Sequence, residues 1–267
     1  MVSSCMVQPL TSDALCGTEL SLLRRWATRA LALVVFMVAF SLCDFSSWSR
    51  SGSRGGSRVR AELGTMNSTY FGCGCFWHVQ HDLVSLVEQD ILWRDADTLT
   101  AFTGYAGSVR TAASSGHVCY HGADSDYGAL GHAEVVSLDF PPSLAEKVAD
   151  VFFSNTCVKG RRRDSQDWGA EYRSLIGLPG GLESDMGQSF ASVAAKRGVT
   201  LRAGRGGDED AHGVVWVMDA TVFRFHQAEI YHQFHDDMSE YYGRAYNGLR
   251  STLAASGHLK PTGCPRD

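Results

Sequence analysis

Residues 69–77 read Thr-Tyr-Phe-Gly-Cys-Gly-Cys-Phe-Trp, and they run an apparent strand into an apparent helix through a turn with two glycines. Thr69, Tyr70 and Phe71 have the β-branched and aromatic character of a strand, and Gly72 and Gly74 supply the turn. Downstream, Phe76, Val79, Leu83, Val84 and Val87 recur at helical spacing. The spacing predicts Cys75 at or just before a helix N-terminus. Unpaired N–H groups and the positive dipole end stabilise a thiolate there and lower the thiol pKa. A thiolate is the nucleophilic form of cysteine, so the junction suits sulfur chemistry. On this stretch alone, a nucleophile and a buried structural cysteine are equally good readings.

Working outward, the elements alternate. A strand near 68–72 precedes the helix from Phe76. Leu99, Ala101 and Thr103 alternate with Thr100 and Phe102, predicting a second strand that ends at Gly104-Tyr105-Ala106-Gly107. A loop rich in Ser, Gly, His and Asp fills 108–130. A third strand is expected over 135–140, stopped by Pro141-Pro142. Ser143-Leu144-Ala145-Glu146 has the form of a capping box for a helix through about Ser154. Residues 171–178 predict a strand, 184–197 a helix stopped by Gly198, and 214–218 a final buried strand. A long polar-aromatic helix is expected from Gln227 to about Leu249. This order predicts an α+β fold, a two-layer sandwich with a ferredoxin-like βαββαβ core, added helices and a C-terminal tail.

Composition limits what the chain can be. At 267 residues with 44% hydrophobic and 20% charged side chains, it can bury a globular core. The net charge of −5 is uneven. Residues 1–60 hold seven Arg against three acids, a net of +4 that leaves −9 on the rest. An acidic folded part lacks the basic face that nucleic acid requires. Arg24, Arg25 and Arg29 precede a 14-residue apolar run over 30–43, too short for a typical membrane span and matched to a signal segment. An almost pure Ser/Arg/Gly stretch over 45–60 follows and cannot form a core. Residues 1–63 are therefore expected to be a targeting extension. A signal joined to a transit peptide, for a plastid, is the favoured destination; secretory and signal-anchored routes are the alternatives. Residues 64–255 are expected to form the catalytic domain and 256–267 a tail. Five cysteines (Cys73, Cys75, Cys119, Cys157, Cys264) lie after the extension, and an odd number leaves at least one free thiol.

Three further segments carry candidate chemistry. Gly131-His132-Ala133-Glu134 enters the third strand, and burial of Glu134 beside apolar residues would raise its pKa and let it donate a proton at neutral pH. Alone, it reads better as a solvated acid at a strand start. Asp167 and Tyr172 flank a Gly turn, where Asp167 could orient a water and Tyr172 supply an O–H. Alone, that segment is a loop with a half-buried tyrosine. Ala228-Glu229-Ile230-Tyr231-His232-Gln233 reads as an ordinary helix face or a substrate contact.

Taken in order, Gly74-Cys75-Phe76-Trp77, Gly104-Tyr105-Ala106-Gly107, Gly131-His132-Ala133-Glu134-Val135-Val136, Tyr172-Arg173-Ser174 and Ala228-Glu229-Ile230-Tyr231-His232-Gln233 resemble the peptide methionine sulfoxide reductase A family over about residues 68–240. The resemblance implies that Cys75 attacks the sulfoxide sulfur of oxidised methionine, in free or protein-bound form. Glu134 would protonate the oxygen, aided by Tyr172 and a water on Asp167. Phe76 and Trp77 would form an apolar wall for the substrate methyl group, selecting the S epimer. Cys75 would become a sulfenic acid, then a disulfide reduced by thioredoxin or another external dithiol, with no metal and no cofactor beyond that reductant. Such activity repairs oxidised proteins, and a monomer suffices for it. The resemblance favours Cys264, in the tail Lys260-Pro261-Thr262-Gly263-Cys264-Pro265, as the resolving thiol. Cys119 and Cys157 are alternatives, and a Cys73–Cys75 bridge would be strained. Three departures bear on substrate preference and rate: His78 replaces a small residue, Gln80 replaces Glu, and Ser115 stands where the family has a second site tyrosine. The loop there is also longer over 124–130, and Tyr120 and Tyr127 are the hydroxyls that could substitute.

Three other readings compete. Cys73, Cys75, His78 and His81 could form a zinc site, although Cys-x-Cys is not the usual spacing. A non-catalytic binding module would tolerate loss of Cys75 or Glu134, and both are present. A different thiol oxidoreductase would not need the Gly-His-Ala-Glu acid, and the chain has no Cys-x-x-Cys.

Overall fold

The computed structural model describes residues 67–265 and Asp267, and the expectations for the targeting extension lie outside the described residues. Among the described residues seven strands form one sheet: β1 (Asn67–Gly72), β2 (Thr103–Ala106), β3 (Ala133–Phe140), β4 (Leu175–Leu178), β5 (Thr200–Ala203), β6 (Val214–Asp219) and β7 (His226–Gln227), in the order β5-β6-β4-β1-β3-β2-β7. The central β4-β1-β3-β2 block is antiparallel throughout, while β6 runs parallel to β4 and β5 parallel to β6. That block has the connectivity of a split βαβ pair, the ferredoxin-like core expected from element order.

Side chains alternate across the sheet, as period-two strands require. Phe71, Val136, Ile176 and Val217 face the larger cluster, which takes in the helices. Tyr70, Val135, Leu175 and Met218 face a smaller cluster closed by Trp216 and Phe223. Helix α1 (Phe76–Asp82, continued by π-helical turns over Leu83–Gln89) buries Phe76, Val79, Leu83, Val84 and Val87 on the larger side. Helix α2 (Ala145–Val151, continued through Phe152–Thr156) contributes Val148, Phe152 and Phe153, and helix α3 (Asp185–Arg197) contributes Phe190 and Val193. The α3 boundaries follow from its caps: the Ser184 hydroxyl accepts the Gly187 N–H at 3.0 Å, and Gly198 turns left-handed at φ 67°. Helix α4 (Arg244–Ala255) anchors through Tyr246 and Leu253, after which Leu259 and Cys264 are buried again.

Several expected elements differ. The second strand lies later than expected, because the Glu88 carboxylate takes the N–H groups of Thr100 and Ala101, so 99–102 packs without a ladder. The strand expected over 171–178 is confined to β4, since Ala170–Tyr172 coil into a 3-10 turn. The Ser143 capping box does not form: Pro142–Leu144 make a 3-10 turn, and α2 begins at Ala145 without a side-chain cap. The long helix over 227–249 is absent before Arg244. Phe234 has φ 52°, which a right-handed helix forbids, and its N–H goes to Gln80 Oε1 at 2.6 Å. Strands β5 and β7 were not expected; the first is largely exposed and the second only two residues long, so neither carries a hydrophobic pattern.

Arg173 joins the loops beneath the site. It is fully buried, and its guanidinium donates to the carbonyls of Ala170 (2.6 Å), Gly107 (3.1 Å) and Gly131 (3.0 Å). Replacing it strands those buried acceptors, at about 1–3 kcal/mol for the first one left unpaired. Arg173→Met is expected to destabilise the protein by about 3 kcal/mol, read from the urea unfolding midpoint. A change under about 0.5 kcal/mol would show the three carbonyls to be hydrated instead.

Candidate active site

The site is built at the start of α1. Cys75 is the N-cap residue, but its own side chain makes no capping hydrogen bond. The first N–H groups of a helix lack intrahelical partners, and here two carboxylates from elsewhere in the chain take them. Asp167 Oδ2 accepts the Cys75 N–H at 2.9 Å, and Glu134 Oε2 accepts the Phe76 N–H at 2.9 Å. Gly74 makes this approach feasible: it has φ 82°, and a Cβ there would fall 2.6 Å from Asp167 Oδ2.

Each partner is held in place. Glu134 sits near the start of β3, opposite Tyr105 of β2. The Tyr172 carbonyl accepts from the Gly74 N–H (3.1 Å) and from Arg162 (3.1 Å), and Arg162 is ion-paired to Asp210 at 2.5 Å. The structure therefore brings Cys75, Glu134, Asp167 and Tyr172 to one place. Phe76 is buried, with its ring against Tyr105 and His232 at 6.2 and 5.3 Å. Trp77 is half-buried and stacks on His235 at 4.3 Å. A cavity of 310 Å³ shares Asp167 as a lining residue with Arg161, Trp168 and His212.

Sequence reasoning left several contributors open or missed them. Ser115 is exposed, whereas Tyr127 donates its hydroxyl to Glu134 Oε1 at 3.2 Å. Tyr120 stacks on Tyr127 with centroids at 5.5 Å and packs tilted against His232 at 4.4 Å. Tyr127 thus reaches Glu134 directly, and Tyr120 lies among the same aromatic side chains. Glu229 is buried in an irregular segment rather than on a helix. It accepts from the Tyr105 hydroxyl (2.7 Å) and the Tyr120 N–H (2.8 Å), joining β2 to the 108–130 loop. Gln80 is structural: it donates to the Ala101 carbonyl and to Gln233, and it accepts the Phe234 N–H.

Electrostatics oppose the expectation of an acidic thiol. Burial is the largest influence on Cys75 and pushes its pKa up; Glu134 adds to that, and the Trp77 N–H offsets only part of it. Helix-terminus stabilisation thus loses to desolvation. Burial also raises Glu134, to about 8, against the Phe76 and Tyr127 hydrogen bonds. At neutral pH the pair is a thiol beside a protonated carboxyl.

Among the described residues Cys75 is the free cysteine. Cys73 is bonded to Cys157, with Cα atoms 5.7 Å apart, and Cys119 to Cys264 at the same Cα separation. Cys264, the favoured resolving thiol, is therefore paired with Cys119 in this structure. The Cys73, Cys75, His78, His81 set does not converge: Cys73 is in its disulfide, His78 is buried, and His81 stacks on Tyr242 at 3.8 Å.

A family model described as peptide methionine sulfoxide reductase matches residues 67–256. Among curated proteins, the peptide methionine sulfoxide reductase MsrA of Shigella boydii serotype 4 (strain Sb227) is 26% identical over 190 residues, spanning 70% of this chain and 79% of the relative. The protein of the same name from Escherichia coli (strain K12 / DH10B) is 27% identical over 180 residues, spanning 67% and 74%. Among solved structures, methionine sulfoxide reductase A of Corynebacterium diphtheriae aligns over 76% of this chain and 80% of its own, at 16% identity and a TM-score of 0.35.

The raised thiol pKa has a direct readout. Iodoacetamide alkylation of Cys75, followed on its peptide by mass spectrometry, is expected to be slow at pH 7 and to rise through pH 9 without levelling. A plateau near neutral pH would show the helix terminus winning over burial.

Proposed function

The chain belongs to the peptide methionine sulfoxide reductase family, and we propose that Cys75, Glu134, Asp167 and Tyr172 are the groups that do its chemistry. Its activity is that of a peptide-methionine (S)-S-oxide reductase, which converts methionine sulfoxide to methionine. The observation that carries the residue assignment is the pairing, at the open end of α1, of the free thiol with a buried carboxyl whose pKa is raised to about 8.

The neutral pair suggests how the thiol is activated. The sulfoxide oxygen accepts the Glu134 proton, which makes the sulfur electrophilic. The Glu134 carboxylate that results takes the Cys75 proton as the thiol sulfur bonds to the substrate sulfur. The oxygen then passes to Cys75 as hydroxyl, the sulfur–sulfur bond breaks, and methionine leaves with Cys75 as sulfenic acid. The cysteine sulfur is oxidised by two electrons and the substrate reduced by two. Tyr127 and Tyr172 hold the oxygen side, Asp167 holds the Cys75 backbone and a water, and Phe76 and Trp77 wall the methyl group.

Recycling needs two more thiols. Cys264 attacks the sulfenic acid and releases water. Cys119 then attacks the Cys264 sulfur, which frees Cys75 and leaves the Cys119–Cys264 disulfide for thioredoxin or another dithiol to reduce. Two features support this order: the Cys119–Cys264 bond, and Tyr120, the residue after Cys119, lying among the site aromatics. The scheme uses no further cofactor, operates in a monomer and accepts free or protein-bound substrate. Repair of oxidised proteins, with delivery to a plastid by residues 1–63, is the cellular role proposed.

The test supplies S- and R-methionine sulfoxide peptides with dithiothreitol. Turnover of the S epimer alone, abolished in Cys75→Ser, is expected; turnover by that variant would remove Cys75 from the assignment. The wild-type kcat/KM is expected to fall as pH rises through about 8, because Glu134 loses its proton there. Glu134→Gln should lose roughly 10²–10⁴-fold in rate and the limb with it. A limb that survives in Glu134→Gln assigns the titration to another group.

A further inference from the structure

His117 plays no part in the chemistry above, yet it stands against the recycling disulfide. Its nearest ring nitrogen and the sulfurs of Cys119 and Cys264 all lie within 4.8 Å of one another. The contact is built into the tail. Gly263 has φ 80°, and a Cβ there would fall 2.8 Å from His117 Cε1, so only glycine lets the chain pass under the imidazole before Cys264. The tail is fixed by Gln227, which donates to the Lys260 carbonyl at 2.7 Å. Among the described residues, no hydrogen bond engages the His117 ring. Both sulfurs are buried, while His117 is half-buried and opens onto a cavity of 240 Å³ lined also by His226, Lys260 and Thr262.

We propose that His117, Cys119 and Cys264 form a zinc-type metal site that exists only when the Cys119–Cys264 disulfide is reduced. Two electrons from an external dithiol cleave the S–S bond and leave two thiols, the donor leaving as its own disulfide. A divalent cation then displaces their two protons and binds two thiolates and one imidazole nitrogen. Tetrahedral zinc holds sulfur at about 2.3 Å and nitrogen at about 2.0 Å, which puts its ligand atoms roughly 3.5–3.8 Å apart. The two sulfurs, bonded in this structure, separate to that distance on reduction, and the imidazole nitrogen already lies within 4.8 Å of both. The cavity beside His117 gives the ion a way in and leaves the fourth position to water. Lys260 is exposed, so its charge is screened by solvent. Soft thiolates with imidazole favour zinc over magnesium or calcium. The bound ion holds both recycling thiolates, so on the reading above it would halt turnover after one cycle, although the site itself does not depend on that reading.

Cobalt(II) reports the site without any assay of activity. The full chain is reduced with a phosphine, freed of reductant without air and titrated with Co²⁺. One ion per chain is expected, with a thiolate-to-cobalt charge-transfer band and tetrahedral ligand-field bands that one equivalent of Zn²⁺ removes. The disulfide form should show none of these. Cys264→Ser, checked for folding by circular dichroism, should lose the charge-transfer band, and His117→Ala should bind at least about tenfold more weakly. No band in the reduced wild type, or an equal band in folded Cys264→Ser, overturns the proposal, the latter by placing the metal on other cysteines.

Discussion

The open N-terminus of α1 is the constraint on which the site depends. A helix that starts at a cysteine with no capping side chain leaves polar N–H groups at the edge of a core, and these must be satisfied. Asp167 and Glu134 satisfy them from 92 and 58 residues away in sequence. Helix capping and site assembly are therefore the same event. The carboxyl that completes the helix is also the carboxyl that faces the thiol, and the β3 register that holds it is set by β1 and β2.

Burial then decides the charge states. Glu134 lies deep enough that two hydrogen bonds do not keep it ionised at neutral pH, and the thiol beside it is pushed the same way. A pair neutral at rest avoids two like charges in a desolvated site, and it holds one proton to give and one to pass on. The surrounding tyrosines act in the same environment. Burial pushes Tyr120 up to about 12, and Tyr127 and Tyr172 up as well, so all three remain hydrogen-bond donors.

The segment after β7 shows how side chains can replace regular structure. Gln233 pairs with both backbone groups of Thr103, and Gln80 takes the Phe234 N–H, so two buried carboxamides do the work of a ladder. Glu229 does the same between β2 and Tyr120. Residues 228–235 are expected to be helical, but only Ile230–His232 coil, into a single 3-10 turn, while the Ala228 and Phe234 N–H groups on either side find partners across the domain in the Thr103 carbonyl and Gln80. A pattern-based reading has no access to that competition, and for this reason it extends the final helix back to Gln227 and places Glu229 on a helix.

The chain's own order determined the strand–turn–helix at 69–87, the stop of α3 at Gly198, the βαββαβ core and the odd thiol, which follow from local periodicity, caps and counting over a few residues. Cys75 and Glu134 became a candidate pair only through the resemblance carried by the ordered motifs around them. Tertiary structure decided what depends on distance and on removal from water. It decided which hydroxyl lies against Glu134, how four cysteines pair, where β2 begins, and that the Cys75 thiol is raised rather than lowered. The last of these shows the physical reason: a helix terminus can be read from sequence, whereas desolvation comes from every element packed around the group.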